Sequence, residues 1–450
     1  MKVAKFGGSS VANATQIRKV ADIIKSDNER KFVVVSAPGK RNDEDIKVTD
    51  LLLDLAEACV NNDNCEKQIN NIMSRFKEII TDLAIDEAIL DDIETVIRKT
   101  IESEDEDFLK IEAFKSIGED SSAKILSAYL NSIGIKSAYV NPQEAGVIVS
   151  NEPGEAQILE ESYDKIYTLR ERDGVLVIPG FFGYAKDGSL ITFSRGGSDI
   201  TGSIIASGVK ADLYENFTDV DSVFTVNPTF VKNPKEITTL TYREMRELSY
   251  SGFSVFHDEA LIPAFKAGIP VCIKNTNNPS AKGTMIVSER QPTKNGVVGI
   301  ASDTGFCILY VSKYLMNREI GFGRKLLEIL EDEDISFEHA PSGIDDMSII
   351  FREDQLSEEQ EENILQRIKT ELDADTVSIN RHLALIMVVG EGMTSTVGIA
   401  KKAAKAIAEA DVNIEMINQG SSEVSMMFGI HVDGLKQAIQ SLYNVYFEED

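Results

Sequence analysis

The stretch "KFGGSS", residues 5 to 10, decides how the chain is read. It follows the apolar pair Val3-Ala4, and after it Val11, Ile17, Val20, Ala21 and Ile24 recur at helical spacing, so the glycines sit in a turn between a first strand and a first helix. Such a turn can cradle a phosphate on its N–H groups, or it can simply let the chain bend. Alone it does not choose, because it lacks the spacing of a P-loop and the third glycine of a dinucleotide fingerprint. A second stretch, "FSRGGSD" (193 to 199), also follows a strand, doubles its glycines and opens a helix with Ser198 and Asp199. Two such turns at strand ends aim N–H groups into the crevice where open α/β sheets take ligands. Arg195 beside the second turn suits a carboxylate or phosphate fork, with a surface salt bridge as the plainer alternative.

The first 290 residues alternate apolar runs with helical periodicity, which predicts an αβα sandwich around a mainly parallel sheet. Strands are expected at 3–6, within 31–39 (a strand and its turn), 136–141, 174–181, 190–194, 212–220 and 269–275, with 48–134 mostly helical. A polar linker, "SERQPTKNG" (288 to 296), then leads into an apparent repeat of β-α-β-β-α-β order. The expected boundaries are 1–290, 297–381 and 382–450, with the leading strand 297–302 assignable to either of the last two. In the first repeat, strands are expected at 305–313, 335–340, 347–352 and 375–380; in the second, at 383–390, 412–418 and 423–430.

Composition is that of an ordinary globular chain of 450 residues, 42% hydrophobic and 27% charged. A net charge of −28 argues against nucleic acid and anionic membranes as partners, though a small anion can still be held where a few cations and N–H groups converge. The start of the sequence has no signal pattern and no apolar run approaches a membrane span, so a cytoplasmic location is expected. Four scattered cysteines and four distant histidines give no metal-ligand spacing and no disulfide framework, and no protein-held metal is expected. The acidic runs at 102–107, 331–334 and 358–362 read as solvated faces.

Two further stretches carry chemistry. In "ENFTDVDSVFTVNP" (215 to 228), Thr218, Asp219 and Asp221 leave a strand together, as Mg²⁺ or nucleotide contacts or as a polar turn. In "SIGEDSSAKIL" (116 to 126), Glu119 is placed at a helix start, as a cap or as a carboxylate facing a ligand amine.

Together and in this order, with "VVVSAPGK", "PGFFG", "IPVCIKNT" and the paired C-terminal units, these stretches resemble the aspartokinases of the amino acid kinase superfamily, with ACT-like regulatory units. The resemblance implies ATP-dependent phosphorylation of the β-carboxylate of L-aspartate, the first step of lysine, threonine and methionine biosynthesis, in a monofunctional chain with Mg²⁺ accompanying ATP. It gives Lys5 and Asp199 the catalytic positions, and Ser36, Thr49, Glu119, Phe181, Arg195 and Ser198 the aspartate pocket. Gly7, Gly8, Ser9, Thr218, Asp219, Phe224 and Lys274 fall on the nucleotide side. Phe224 replaces the family's usual tyrosine and Thr229 its arginine, so Lys232 or Lys235 is a candidate substitute. Feedback by L-lysine is implied at Met316, Gly321, Phe322, Gly323, Ser336, Phe337, Glu338 and Ser342, in a homodimer or dimer of dimers joined through the ACT-like units. The alternatives are a kinase acting on glutamate or carbamate, and an inactive amino-acid sensor.

Overall fold

The computed structural model describes residues 1–194, 196–253, 259–291, 293, 295–420 and 424–448. By its internal contacts the chain forms two units. The first comprises Met1–Val223, Glu236–Arg246 and Ser254–Arg290; the second comprises Phe224–Lys235, Glu247–Phe253 and Gln291–Asp450. Two excursions from the first 290 residues therefore belong to the second unit, and Phe224 goes with them.

The first unit is built on an eight-stranded sheet in the order Thr239–Thr241, Thr284–Val287, Val271–Asn275, Leu213–Thr218, Lys2–Phe6, Arg30–Val35, Val175–Pro179, Ser137–Tyr139. All neighbours run parallel except Val271–Asn275 with Thr284–Val287. Buried runs such as Phe32 to Val35 and Leu176 to Ile178 explain this, since strands covered by helices on both faces need no polar alternation. Lys2–Phe6 lies near the middle, with Lys5 in register between Val34 and Asn216.

One expectation fails here. Glu119 does not start a helix; it lies inside the 26-residue helix Asp107–Ser132. Gly118, beside it, lies within the same helix. A Cβ on it would stand 2.6 Å from the Ala37 side chain, so this glycine serves close helix-to-loop packing within the helix.

The second unit carries one antiparallel five-stranded sheet, ordered Asp346–Arg352, Gly299–Ser312, Thr376–Val389, Ser425–His431, Met416–Asn418. The expected separate strands at 305–313, 375–380 and 383–390 are parts of two 14-residue strands, with irregular register where Asp303 gives way to Phe306 and Ile308. Two apolar clusters lie along it. Leu309, Phe322, Leu326 and Phe351 belong to one, and Val297, Ile300, Ala403 and Ile439 to the other. The expected strand at 335–340 is reduced to an isolated bridge between His339 and Ile350, because Pro341 has no N–H with which to continue the ladder.

Candidate functional site

The site grows from the C-terminal ends of the central strands. Lys5 is 6% exposed, and an ammonium so buried needs a counter-charge; Asp199 supplies it, with Lys5 Nζ 2.6 Å from Asp199 Oδ1. Asp199 stands in the first turn of the helix Gly197–Gly208, where a carboxylate complements the free N–H groups. Asn216 Nδ2, on the neighbouring strand, donates to the same Oδ1 at 2.5 Å, and Tyr214 O–H donates to the Asp199 carbonyl at 3.2 Å.

The two glycines of the first turn have different surroundings. Gly8 is held by packing: a Cβ there would lie 2.9 Å from the Ala37 carbonyl oxygen, and Gly39 N–H donates to Gly8 O at 2.9 Å. Gly7 faces Lys5, because a Cβ on it would lie 3.6 Å from Lys5 Nζ. Ser9 is exposed, whereas Ser10 is buried against Thr276, their hydroxyls 2.7 Å apart.

Glu119 is 5% exposed, bonded to Ser198 and to the Ala37 backbone, with Lys5 near enough to act on its charge. Its Oε2 is buried without a hydrogen-bond partner among the described residues. Burial pushes its carboxyl up to about 8, against which the Ala37 N–H, Lys5 and Ser198 pull down. Ser198 backs onto Gly180, where a Cβ would come within 2.7 Å of the serine side chain. Phe181 next to it holds φ at 78°, a left-handed conformation costly for an aromatic residue and fixed by its N–H to Thr201 Oγ1 at 3.0 Å. Ser36 and Thr49 are half-buried on segments tied to this edge: Ser36 N–H bonds Phe6 O at 3.1 Å, and Val48, beside Thr49, bonds Pro38 O at 3.0 Å. Arg195 lies outside the described residues.

On the next two strand ends, Thr218 donates to Asp219 at 3.1 Å, and Asn275 Nδ2 bonds both the Asp219 carbonyl and Asp221 Oδ1, at 3.1 and 2.7 Å. Lys274 is half-buried on the strand beside them, in register with Phe217. The structure thus gathers Lys5, Gly7, Glu119, Ser198 and Asp199, with Thr218 and Lys274 at neighbouring strand ends of the same sheet. Phe224 is in the other unit.

The comparisons decide the family. Residues 1–275 match the amino acid kinase family and residues 386–446 an ACT domain. The chain is 58% identical over 450 residues to aspartokinase 3 of Bacillus subtilis, covering 99% of each. The chain belongs to the aspartokinase family. It is also 30% identical to the chloroplastic aspartokinase 1 of Arabidopsis thaliana, over 99% of this chain and 80% of that one. The crystal structure of Clostridium acetobutylicum aspartate kinase superposes with a TM-score of 0.89 at 39% identity, covering 99% of this chain and all (100%) of that one. Escherichia coli aspartokinase III in complex with aspartate and ADP has the same fold, with a TM-score of 0.78 at 22% identity over 99% of this chain and 100% of that one.

In this aspartokinase the expected effector residues fall into two groups. Met316, Phe322, Gly323 and Ser342 gather where the strand Asp346–Arg352 begins: Met316 and Phe322 share a cluster with Met347, a Cβ on Gly323 would sit 3.7 Å from Met347 Sδ, and Ser342 bridges Met347. Gly321, at φ 84°, caps the helix Phe322–Glu331 there. Ser336 bonds Gln355, with Phe337 exposed beside it, and Glu338 lies 3.9 Å from Arg352 at the strand's far end. The cavity Glu338 lines with His339, Arg352 and Asp303 is only about 10 Å³, room for one water.

The sequence reading missed Asn216, Asn275 and Glu112. Glu112 is 2% exposed in the helix that carries Glu119, and its Oε2 accepts from Thr192 N–H at 2.6 Å, Thr192 O–H at 2.7 Å and Gly154 N–H at 3.2 Å. It anchors the strand Leu190–Thr192 immediately before the second glycine turn. Its one sequence signal was its place seven residues, two helical turns, before Glu119.

Proposed function

We propose that this chain transfers the γ-phosphoryl group of ATP to the β-carboxylate of L-aspartate, giving 4-phospho-L-aspartate, at the edge where Lys5, Glu119 and Asp199 meet. The observation that carries the reading is a buried ammonium 2.6 Å from Asp199 beside a buried carboxyl oxygen with no partner among the described residues. Such a pocket is made for a zwitterion. Glu119 and Asp199 accept from the substrate ammonium, Ser198 and Arg195 take its α-carboxylate, and Ser36, Thr49 and Phe181 wall the pocket. The β-carboxylate is ionised at neutral pH and needs no general base. What remains is to hold two anions in line and offset the charge of the transferring group.

Lys5 does this from the substrate side and Lys274 from the nucleotide side, with the N–H groups of Gly7, Gly8 and Ser9 around the phosphate. Thr218 and Asp219 take the nucleotide; Phe224, Lys232 and Lys235 belong to the second unit. No three His, Cys, Asp or Glu side chains converge among the described residues, which suits a Mg²⁺ ion held mostly by phosphate oxygens and by a carboxylate such as Asp219. Bound there, Mg²⁺ would neutralise the β- and γ-phosphate oxygens. ATP as donor goes with a cytoplasmic location. Coupled measurement of ADP release with ATP and each of L-aspartate, L-glutamate and carbamate tests the reading: turnover with L-aspartate alone is expected, and an equal rate with either of the others overturns it.

For regulation we propose L-lysine, its carboxylate on the N–H groups at Gly321 and Gly323 and its distal ammonium facing Glu338. Escherichia coli aspartokinase III, of the same fold at 23% identity, is described in complex with lysine and aspartate. Within one chain Glu338 is spread away from the glycine turn, so a twofold copy would supply one half of the site. A homodimer, or a dimer of dimers, follows.

A further inference from the structure

Away from this edge, two thiols meet. Cys59 lies in the last turn of the helix Val48–Val60, and Cys65 caps the helix Glu66–Leu83 that follows a short loop. Their sulfurs are 3.0 Å apart, about 1 Å more than the roughly 2.05 Å of a disulfide bond. Both side chains are half-buried at the rim of the apolar core, and Cys65 Sγ also reaches the Asp63 carbonyl at 3.4 Å. The remaining cysteines, Cys272 and Cys307, are buried. A helix end facing a helix start across so short a loop is held by packing on both sides, so the sulfurs meet because of the helices that carry them.

We propose that Cys59 and Cys65 form a reversible thiol–disulfide couple, a site of oxidation by small-molecule disulfides such as glutathione disulfide. The steps balance. Cys65, as thiolate, attacks one sulfur of the oxidant, forming a mixed disulfide and releasing one thiol; Cys59 loses its proton and attacks the Cys65 sulfur, closing the intramolecular bond and releasing the second thiol. The oxidant takes up two electrons and both protons. Cys59 stands at the C-terminal end of its helix and Cys65 at the N-terminal end of the next, and burial with the hydrogen bond to Cys65 raises the Cys59 thiol, so Cys59 is the resolving group and not the first attacker.

The couple is connected to the phosphate turn. Arg75, in the helix that Cys65 caps, donates to Gly39 O at 2.9 Å, and Gly39 N–H donates to Gly8 O at 2.9 Å; Val48, at the start of the Cys59 helix, donates to Pro38 O at 3.0 Å. Clasping the two helices therefore stiffens the segment behind Gly8. A rise of a few degrees in melting temperature is the scale expected for closing so short a loop.

The experiment uses the full chain, reduced and then incubated with glutathione disulfide, with intact mass and non-reducing peptide mapping. The expected product has lost the mass of two hydrogen atoms, joins the Cys59 and Cys65 peptides, melts higher and reverts with dithiothreitol. Cys59→Ser should stop at the glutathione adduct on Cys65, and Cys65→Ser should react slowly or not at all. If iodoacetamide still labels both thiols of the wild-type chain after incubation, or if Cys272 or Cys307 takes up the oxidant first, the proposal is wrong. The wild-type result stands alone should either variant fail to fold.

Discussion

The two units treat distance along the chain in opposite ways. In the first, Lys5, Glu119, Asp199 and Asn216 come from separate stretches and converge; in the second, Gly323 and Glu338 come from one short stretch and part. The cause is sheet type. Parallel strands joined by helices all end on one edge, so the loops that follow them pool there. An antiparallel ladder lays the residues that pack on it out along its length: Met347, beside Gly323, and Ile350, whose carbonyl accepts from Glu338 N–H at 2.8 Å, are three residues apart, about 10 Å of extended strand. Convergent sites should fail wholesale when one member is lost. Spread sites should fail by degrees.

Lys5→Ala is the sharpest way to break that contrast. Its removal takes away the charge that offsets the transferring phosphoryl and leaves the Asp199 carboxylate to the neutral Asn216 amide. A fall in kcat of roughly 10²-fold or more is expected, with the far-ultraviolet circular dichroism spectrum retained. A variant keeping more than about a tenth of wild-type kcat, roughly 1.4 kcal/mol or less of barrier, would mean that the convergence is architectural and not chemical.

Glu112→Ala should come next. It orphans the buried N–H and hydroxyl of Thr192, at about 1–3 kcal/mol for each unsatisfied group, and frees the strand leading into residues 193–199. The expected result is a fall of roughly tenfold or more in kcat/KM for aspartate, with the KM for ATP much less changed, and substantial rescue by Glu112→Gln, whose amide oxygen can still accept from Thr192. Equal changes for both substrates would show a loss of stability and no positioning role.

These residues also show where sequence reading works and where it stops. The glycine pairs and the cations and carboxylates beside them were legible because strand, turn and helix are local patterns and a parallel sheet brings such turns together. Lys5 and Asp199 were named from these turns without any knowledge of their 2.6 Å contact. The helix start expected at Glu119 was wrong because the helix runs unbroken through Gly118, a glycine required for contact with Ala37. Asn216 and Glu112 were invisible for another reason. One sits in a buried strand and the other in a long, mostly buried helix, and each acquires its role from a partner 17 or 80 residues away. Glu338 was identified as an acid near a strand end, but its neighbour Arg352 is set by sheet register, which periodicity alone does not give.

Glu119 offers a test by pH. Its folded-state pKa is raised to about 8, above the ordinary carboxyl value, so in the free protein it holds its proton at neutral pH and ionises as pH rises through about 8. Two signs follow. Its contribution to stability is fully present below the ordinary carboxyl range and is lost as pH rises through about 8. Its ability to accept an ammonium moves the other way, so kcat/KM for aspartate should climb, by up to about tenfold per pH unit below that value, and level off above it. Binding of aspartate near neutral pH should release a proton, seen by calorimetry in buffers of different ionisation enthalpy. Glu119→Gln should flatten both the profile and the proton release; an unchanged profile would assign the titration elsewhere.

The smallest effect is expected where the site is spread. Glu338 is half-buried and 3.9 Å from Arg352, which itself pairs with Asp303 at 2.6 Å, so the Glu338 pair is loose and worth little to the fold. Glu338→Ala should therefore leave melting temperature and basal kcat nearly unchanged while raising the lysine concentration for half-inhibition several-fold, since only one end of the effector loses its partner. Gly321→Ala should weaken inhibition as well, because φ of 84° suits glycine and the helix start that receives the carboxylate would be strained. If the two halves belong to one site across a twofold axis, inhibition and dimerisation are linked: dilution below the dimer dissociation constant, followed by sedimentation, should abolish lysine sensitivity in parallel with dimer content. Inhibition that persists in the monomer would confine the site to one chain. Glu338, about 10 Å along the strand from Met347, would then have no part in it.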